Sequence, residues 1–247
     1  MSLRAFYGLR TALAAALLAT LLSACAGSQS RYPVPALPAG KLEQLRADAL
    51  RAQPPEETGT FHASDLVEPT RLDPGLKLDV RYATPDNFMR APVYPEARVF
   101  LQRPAAEALV RVNQALRGEG YGLLLFDGYR PWYVTWMFWE ATPNDQRNFV
   151  ADPAVGSRHN RGSAIDVSLY DLRTGLEVPM PSAYDEFSER AHPSYTGGTA
   201  EQRASRDRLR RAMEAEGFTV NPDEWWHFDF RDWDKYPIGN VFFKDLK

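Results

Sequence analysis

The sequence predicts an α+β fold: a single domain on a small, mainly antiparallel sheet flanked by helices. Three patterns carry that expectation. Apolar and polar residues alternate through residues 76–82 and 164–170, the two-residue period of strands. Residues 121–126 (YGLLLF) form an unbroken apolar run of strand length, suited to burial on both faces. Residues 104–117 carry the wider period of an amphipathic helix, and residues 201–216, closed by Gly217, are a second helix candidate. Strands and helices separated in this way fit one α+β domain, and 247 residues at 44% hydrophobic content can supply its core.

In chain order, Arg4 and Arg10 flank the start of an Ala/Leu run over residues 11–22, the length of a secretory signal core and short for a bilayer span. The run ends in Leu22-Ser23-Ala24-Cys25, which resembles a bacterial lipobox, so residues 1–24 are expected to be removed and Cys25 to carry lipid. An ordinary signal peptide cut elsewhere is the alternative. Residues 25–58, with Gly27, Ser28, Ser30, Pro33, Pro35, Pro38, Pro54 and Pro55 around one short helix at 41–53, are expected to be a tether, and residues 59–247 the domain.

Within that domain, residues 76–82 predict a half-buried strand. The helix at 104–117 sets Ala105, Leu109, Val112 and Leu116 on one face, with Pro104 in its first turn and Gly118 just past its end. The 121–126 strand runs into a turn at Asp127-Gly128-Tyr129-Arg130-Pro131, and the aromatic-rich stretch 132–139 is a helix candidate. In the 164–170 strand Ile165, Val167 and Leu169 face one way, and Asp166, Ser168 and Tyr170 the other. The 201–216 helix closes at Gly217. Asn221-Pro222-Asp223 then turns the chain into an aromatic strand at 225–230.

Composition excludes several functions. With 29 basic against 32 acidic residues and a formal charge of −3, no surface for neutralising phosphates is expected, so nucleic acid is not a partner. A single cysteine rules out an internal disulfide, a cysteine-rich zinc site and an iron–sulfur cluster. Any metal must therefore sit on histidines and carboxylates.

Two segments combine these groups. In Ser157-Arg158-His159-Asn160-Arg161-Gly162-Ser163-Ala164-Ile165-Asp166, a turn at Gly162 can bring the His159 imidazole and the Asp166 carboxylate to one point. In Glu224-Trp225-Trp226-His227, the histidine lies inside the aromatic strand. Catalytic zinc takes about three protein ligands plus water, and a His/His/Asp set would leave Glu224 as the base that accepts a proton from that water. The spacing is not HExxH on a helix. Taken singly, a histidine beside aromatics is an ordinary core or surface residue and an aspartate on a strand pairs with an arginine, so the residues alone leave both readings open.

The pattern SxHxxGxAxD followed downstream by ExxH resembles the zinc D-Ala-D-Ala peptidases, and most closely the D-alanyl-D-alanine dipeptidases. The resemblance runs from about Leu76 to the C-terminus through LDVRYATPDNF at 78–88, GYGLLLFDGYRP at 120–131, SRHNRGSAIDVSLYD at 157–171, TGLEVPM at 174–180 and EWWHF at 224–228. It implies one zinc ion on His159, Asp166 and His227, Glu224 as the catalytic base and Arg130 as the cation stabilising the transition state. An ion pair with Asp127 is the other reading of Arg130. The resemblance also implies that Tyr82 and Asp185 meet the substrate amino group and Ser157 its carboxylate, against plain strand-packing and loop-surface roles for Tyr82 and Asp185. His62 and His192 are expected not to be ligands. The chain departs from the family at residues 141–156, which look short, and at Arg158, where a small polar residue is expected. The implied protein is a lipid-anchored, periplasm-facing enzyme of the bacterial envelope that hydrolyses a small D,D-dipeptide during peptidoglycan turnover, with no protein partner inferred. A carboxypeptidase or endopeptidase on longer peptidoglycan stems and a noncatalytic zinc-stabilised binding module are the alternatives.

Overall fold

The computed structural model describes residues 37–246 apart from Ala39, so the expected signal segment and Cys25 lie outside the described residues. The first element is helix α1, Lys41–Ala49. Its apolar stripe is narrow, yet Leu45 and Ala49 are fully buried in the common core and the helix lies against a later one, α4, Trp132–Ala141. Further along, the Glu57 carboxylate accepts hydrogen bonds from Arg161 Nη2 (2.5 Å) and from the Ile238 amide (2.6 Å). The expectation of a tether through residue 58 is therefore corrected: the packed body starts near residue 41, because two apolar side chains and one carboxylate fasten the proline-containing stretch to it.

Strand β1, Leu66–Val67, and strand β3, Leu101–Gln102, form a two-stranded antiparallel ribbon, with the short helix α2, Pro69–Leu72, between them in the chain. Strand β2 is only Lys77–Leu78, shorter than the expected 76–82. Leu76 and Val80 are buried as the alternation predicts, but Leu78 between them is exposed; the Asp79 amide still bonds Leu125 O at 2.9 Å. Beyond that point the chain turns through a 3-10 turn at Arg81–Ala83. The Arg81 guanidinium reaches Asp79 (3.0 Å) and Glu177 (3.2 Å) and lies 4.9 Å over the Phe126 ring, interactions a continued strand would forgo.

The remaining elements follow the sequence closely. Helix α3 is Arg103–Gly118, strand β4 Tyr121–Asp127, strand β5 Ala164–Asp171, helix α5 Ala200–Ala215, strand β6 Phe218–Asn221 and strand β7 Glu224–Phe230. Five strands make one sheet in the order β2-β4-β5-β7-β6; the β2–β4 pairing is parallel and the other three antiparallel. This is the α+β, mainly antiparallel architecture expected. The central strands β4, β5 and β7 are buried along nearly their whole length. Their register places Asp127 opposite Asp166, and Asp166 opposite His227, in one row across the sheet. Directly opposed residues in an antiparallel pair lie about 4.5–5.5 Å apart, so pairing alone brings these side chains together.

Candidate active site

His159 reaches that row from a 3-10 turn, Arg158–Arg161, that precedes β5. Ser157 caps the turn: its Oγ accepts from the His159 amide (3.2 Å), and Asn160 Oδ1 reciprocates at the Ser157 amide (2.7 Å). Gly162 ends the turn at φ 67°, left-handed backbone that favours glycine, and a Cβ there would lie 2.4 Å from Leu66 Cδ2. The reversal expected at Gly162 thus delivers His159 to Asp166.

Hydrogen bonds fix both imidazole tautomers. His159 Nδ1 lies 2.8 Å from Gly128 O, a carbonyl that can only accept, so Nδ1 carries the proton and the Nε2 lone pair faces inward. His227 Nε2 lies 3.0 Å from Asp229 Oδ1, which leaves Nδ1 as the inward atom. Tyr184 donates to Asp166 Oδ2 (3.0 Å), while Asp166 Oδ1 is buried without a hydrogen-bond partner among the described residues. Three ligand atoms converge: His159 Nε2 to His227 Nδ1 is 3.0 Å, His159 Nε2 to Asp166 Oδ1 3.3 Å, and His227 Nδ1 to Asp166 Oδ1 3.2 Å. Ligand atoms about 2.0–2.1 Å from a tetrahedral ion sit about 3.3 Å from one another, so the spacing fits a metal. Three buried lone pairs facing one another repel unless a cation, or a proton, lies between them.

The electrostatics agree. Burial works against an imidazolium at His227, but the nearby Asp166 and Asp229 carboxylates would hold its proton and raise its pKa well above the ordinary value. Burial pushes the Asp166 carboxyl up, and the His159 and His227 imidazoles more than reverse this, leaving it low. Such a cluster attracts positive charge, and a proton and a metal ion compete for the same lone pairs. Asp229, behind His227, makes the carboxylate–histidine arrangement that orients a metal-binding imidazole.

The other expected residues line the same cavity of about 300 Å³, a size that suits a small ligand. Glu224 Oε2 is 3.6 Å from His227 Nδ1 and accepts from Asn221 Nδ2 (3.2 Å). Residues three apart on a strand face opposite ways. The register shift between Val220 and Asn221, opposite Glu224, is the kind of irregularity that re-aims a side chain. Burial raises the Glu224 pKa, opposed by the His227 charge. Arg130 is buried, with Nε and Nη2 both on Asp127 Oδ2 (3.0 and 2.8 Å), while Asp127 Oδ1 accepts from Tyr94 (2.7 Å). The two readings of Arg130 are thus compatible: the Asp127 ion pair is what holds the guanidinium at the cavity wall.

Tyr82 donates to Asp185 Oδ1 (3.0 Å); both are buried in the wall, Tyr82 with its ring packed in the core and Asp185 away from the surface. Asp185 Oδ2 has no hydrogen-bond partner among the described residues, and burial, then the Asp166 charge, push its pKa well above the usual carboxylate range. Its backbone adopts φ 59°, left-handed for a residue with a side chain. Ser157 is buried in the wall too, and Asn148, Phe149, Val150 and Ala151 of the 141–156 segment close one side. His192 lies 4.0 Å from Asp223, and His62 is edge-on to Tyr236; neither belongs to the three-residue cluster among the described residues.

Sequence reasoning missed Asp229 and Tyr184, which steady the cluster from behind. Asp229 had a signal, since it follows His227 by two residues and shares its strand face. Tyr184 had none beyond its place beside Asp185.

Comparison with known proteins gives the same picture. A family model described as D-ala-D-ala dipeptidase matches residues 62–240. A D-alanyl-D-alanine dipeptidase of Enterococcus faecium is 39% identical over 181 residues, covering 66% of this chain and 89% of the relative. One of Escherichia coli K12 is 33% identical over 175 residues, covering 71% and 89%. A Streptomyces coelicolor enzyme of the same name is 32% identical over 193 residues, covering 71% and 93%. The chain, with a five-stranded α+β body and a His/Asp/His cluster open to a small cavity, belongs to the D-Ala-D-Ala dipeptidase family of peptidases.

Proposed function

We propose that the protein is a zinc-dependent dipeptidase that hydrolyses D-alanyl-D-alanine, or a closely related D,D-dipeptide, during peptidoglycan turnover. The observation that carries the reading is the convergence of His159 Nε2, Asp166 Oδ1 and His227 Nδ1 in a small cavity that also holds Glu224 and Arg130. Zinc on these three atoms would polarise the scissile carbonyl and bring the pKa of water toward neutrality.

The chain's own groups supply the rest. Glu224 accepts a proton from the attacking water and hands it to the departing amine, a task that suits a carboxyl whose burial raises its proton affinity. Arg130, locked by Asp127, presents fixed positive charge where negative charge grows on the carbonyl oxygen. Asp185, with Tyr82 on one oxygen and the other unpartnered, receives the substrate ammonium. Ser157 donates to the substrate carboxylate, its acceptor side being used by the His159 amide.

The test is incubation of the zinc-loaded protein with D-alanyl-D-alanine and assay of free D-alanine. Glu224→Ala is expected to lower kcat about 10²–10⁴-fold with metal binding retained. No hydrolysis above that variant overturns the reading, and faster cleavage of an acylated tripeptide shifts it to a carboxypeptidase. Envelope location through a lipidated Cys25 is part of the proposal and rests on the lipobox-like Leu22–Cys25 sequence. Cys25→Ala is expected to move the protein from the membrane fraction to the soluble one, and unchanged fractionation excludes the anchor.

A further inference from the structure

The cavity wall carries the carboxyl groups of Asp166, Asp185, Asp223 and Glu224 but only two guanidinium groups, those of Arg130 and Arg158. Arg130 is committed to Asp127 through two of its nitrogens. Arg158 is placed differently. Its side chain is 46% exposed, its Nη1 donates to Asp229 Oδ2, and its guanidinium carbon lies 4.6 Å over the Trp233 ring. Asp229 is nearly buried and is held on its other oxygen by His227. Ion pair and ring together fix the guanidinium plane, while Arg158 Nε and Nη2 make no hydrogen bond among the described residues.

Nε and Nη2 share one edge of a guanidinium, and that edge matches the two oxygens of a carboxylate. The edge belongs to the residue next to Ser157, and both residues are among those that line the cavity. We propose that Arg158 is a specificity residue that binds the free C-terminal carboxylate of the substrate and so selects peptides that end at the second residue; this rests on the dipeptidase reading. The anchored plane makes the donors available without further ordering of the side chain, which favours binding of the anion.

The test compares D-alanyl-D-alanine with D-alanyl-D-alaninamide, which lacks the carboxylate, on the zinc-loaded wild type, Arg158→Lys and Arg158→Ala, with zinc content measured for each. Arg158→Ala is expected to raise KM for the dipeptide about 10- to 100-fold, with kcat changed by less than about threefold and the amide unaffected. Arg158→Lys, which keeps the charge but not the fork, is expected to fall between them and serves alone should the alanine variant not fold. A fall in kcat at constant KM, or equal losses on both substrates, overturns the proposal and places Arg158 behind Asp229 as a support for His227. An inactive wild type overturns the dipeptidase reading itself, whereas an active wild type with unchanged KM in both variants overturns only the role of Arg158.

Discussion

Asp185 concentrates three unfavourable features in one residue. Its φ of 59° is unfavourable for a side chain, one carboxyl oxygen is buried without a partner, and its pKa is raised by burial and by Asp166. A carboxyl whose folded pKa lies above its unfolded value of 3.8 supports folding fully only below that value, and the support is lost as pH rises through the folded pKa. Near pH 7 the residue therefore opposes folding, and an ammonium in the cavity relieves it. Asp185→Asn keeps an acceptor for Tyr82, tolerates left-handed backbone and removes the ionisation. It is expected to stabilise the metal-free protein by about 1–2 kcal/mol at pH 7 in urea unfolding, while raising KM for a substrate with a free amine. A variant no more stable than wild type, or with unchanged KM, contradicts this account.

At the level of elements, legibility followed how much of the information was local. Strands β4, β5 and β7 could be read because long apolar or alternating runs specify burial on their own, helix α3 because its apolar stripe is wide, and helix α5 because Gly217 marks its end. The His/Asp/His cluster was legible because His159, Gly162 and Asp166 lie within one turn and strand, and because β5 and β7 pair in the register that sets Asp166 against His227. What was not legible depended on distant partners. Strand β2 stops early because Arg81 finds Glu177, 96 residues away, and α1 looked like linker because only Leu45 and Ala49 mark its buried face. If that burial is structural, Leu45→Ala is expected to lower stability by about 2–5 kcal/mol, read by urea unfolding, and a chain beginning at residue 59 is expected to be less stable still. A tether residue would show no change.

For the molecule as a whole, metal and pH act on stability together. In the metal-free protein the folded pKa of His227 lies above its unfolded value of 6.5, so its contribution is complete below about pH 6.5 and is lost as pH rises through the folded value. The metal gains over the same interval, because the proton that competes for Nδ1 departs. The difference in melting temperature between zinc-loaded and chelator-treated protein is therefore expected to widen from pH 6 to pH 8. A difference that narrows would show that His227 does not hold the proton.

The packing of α1 also sets a length. If Cys25 carries lipid, about 15 residues separate the anchor from the start of α1, and that many residues span at most about 50 Å. With that span as the limit, a lipidated Cys25 would restrict the substrates to small peptides found within about 50 Å of the bilayer, a far shorter reach than a tether running to residue 58 would allow.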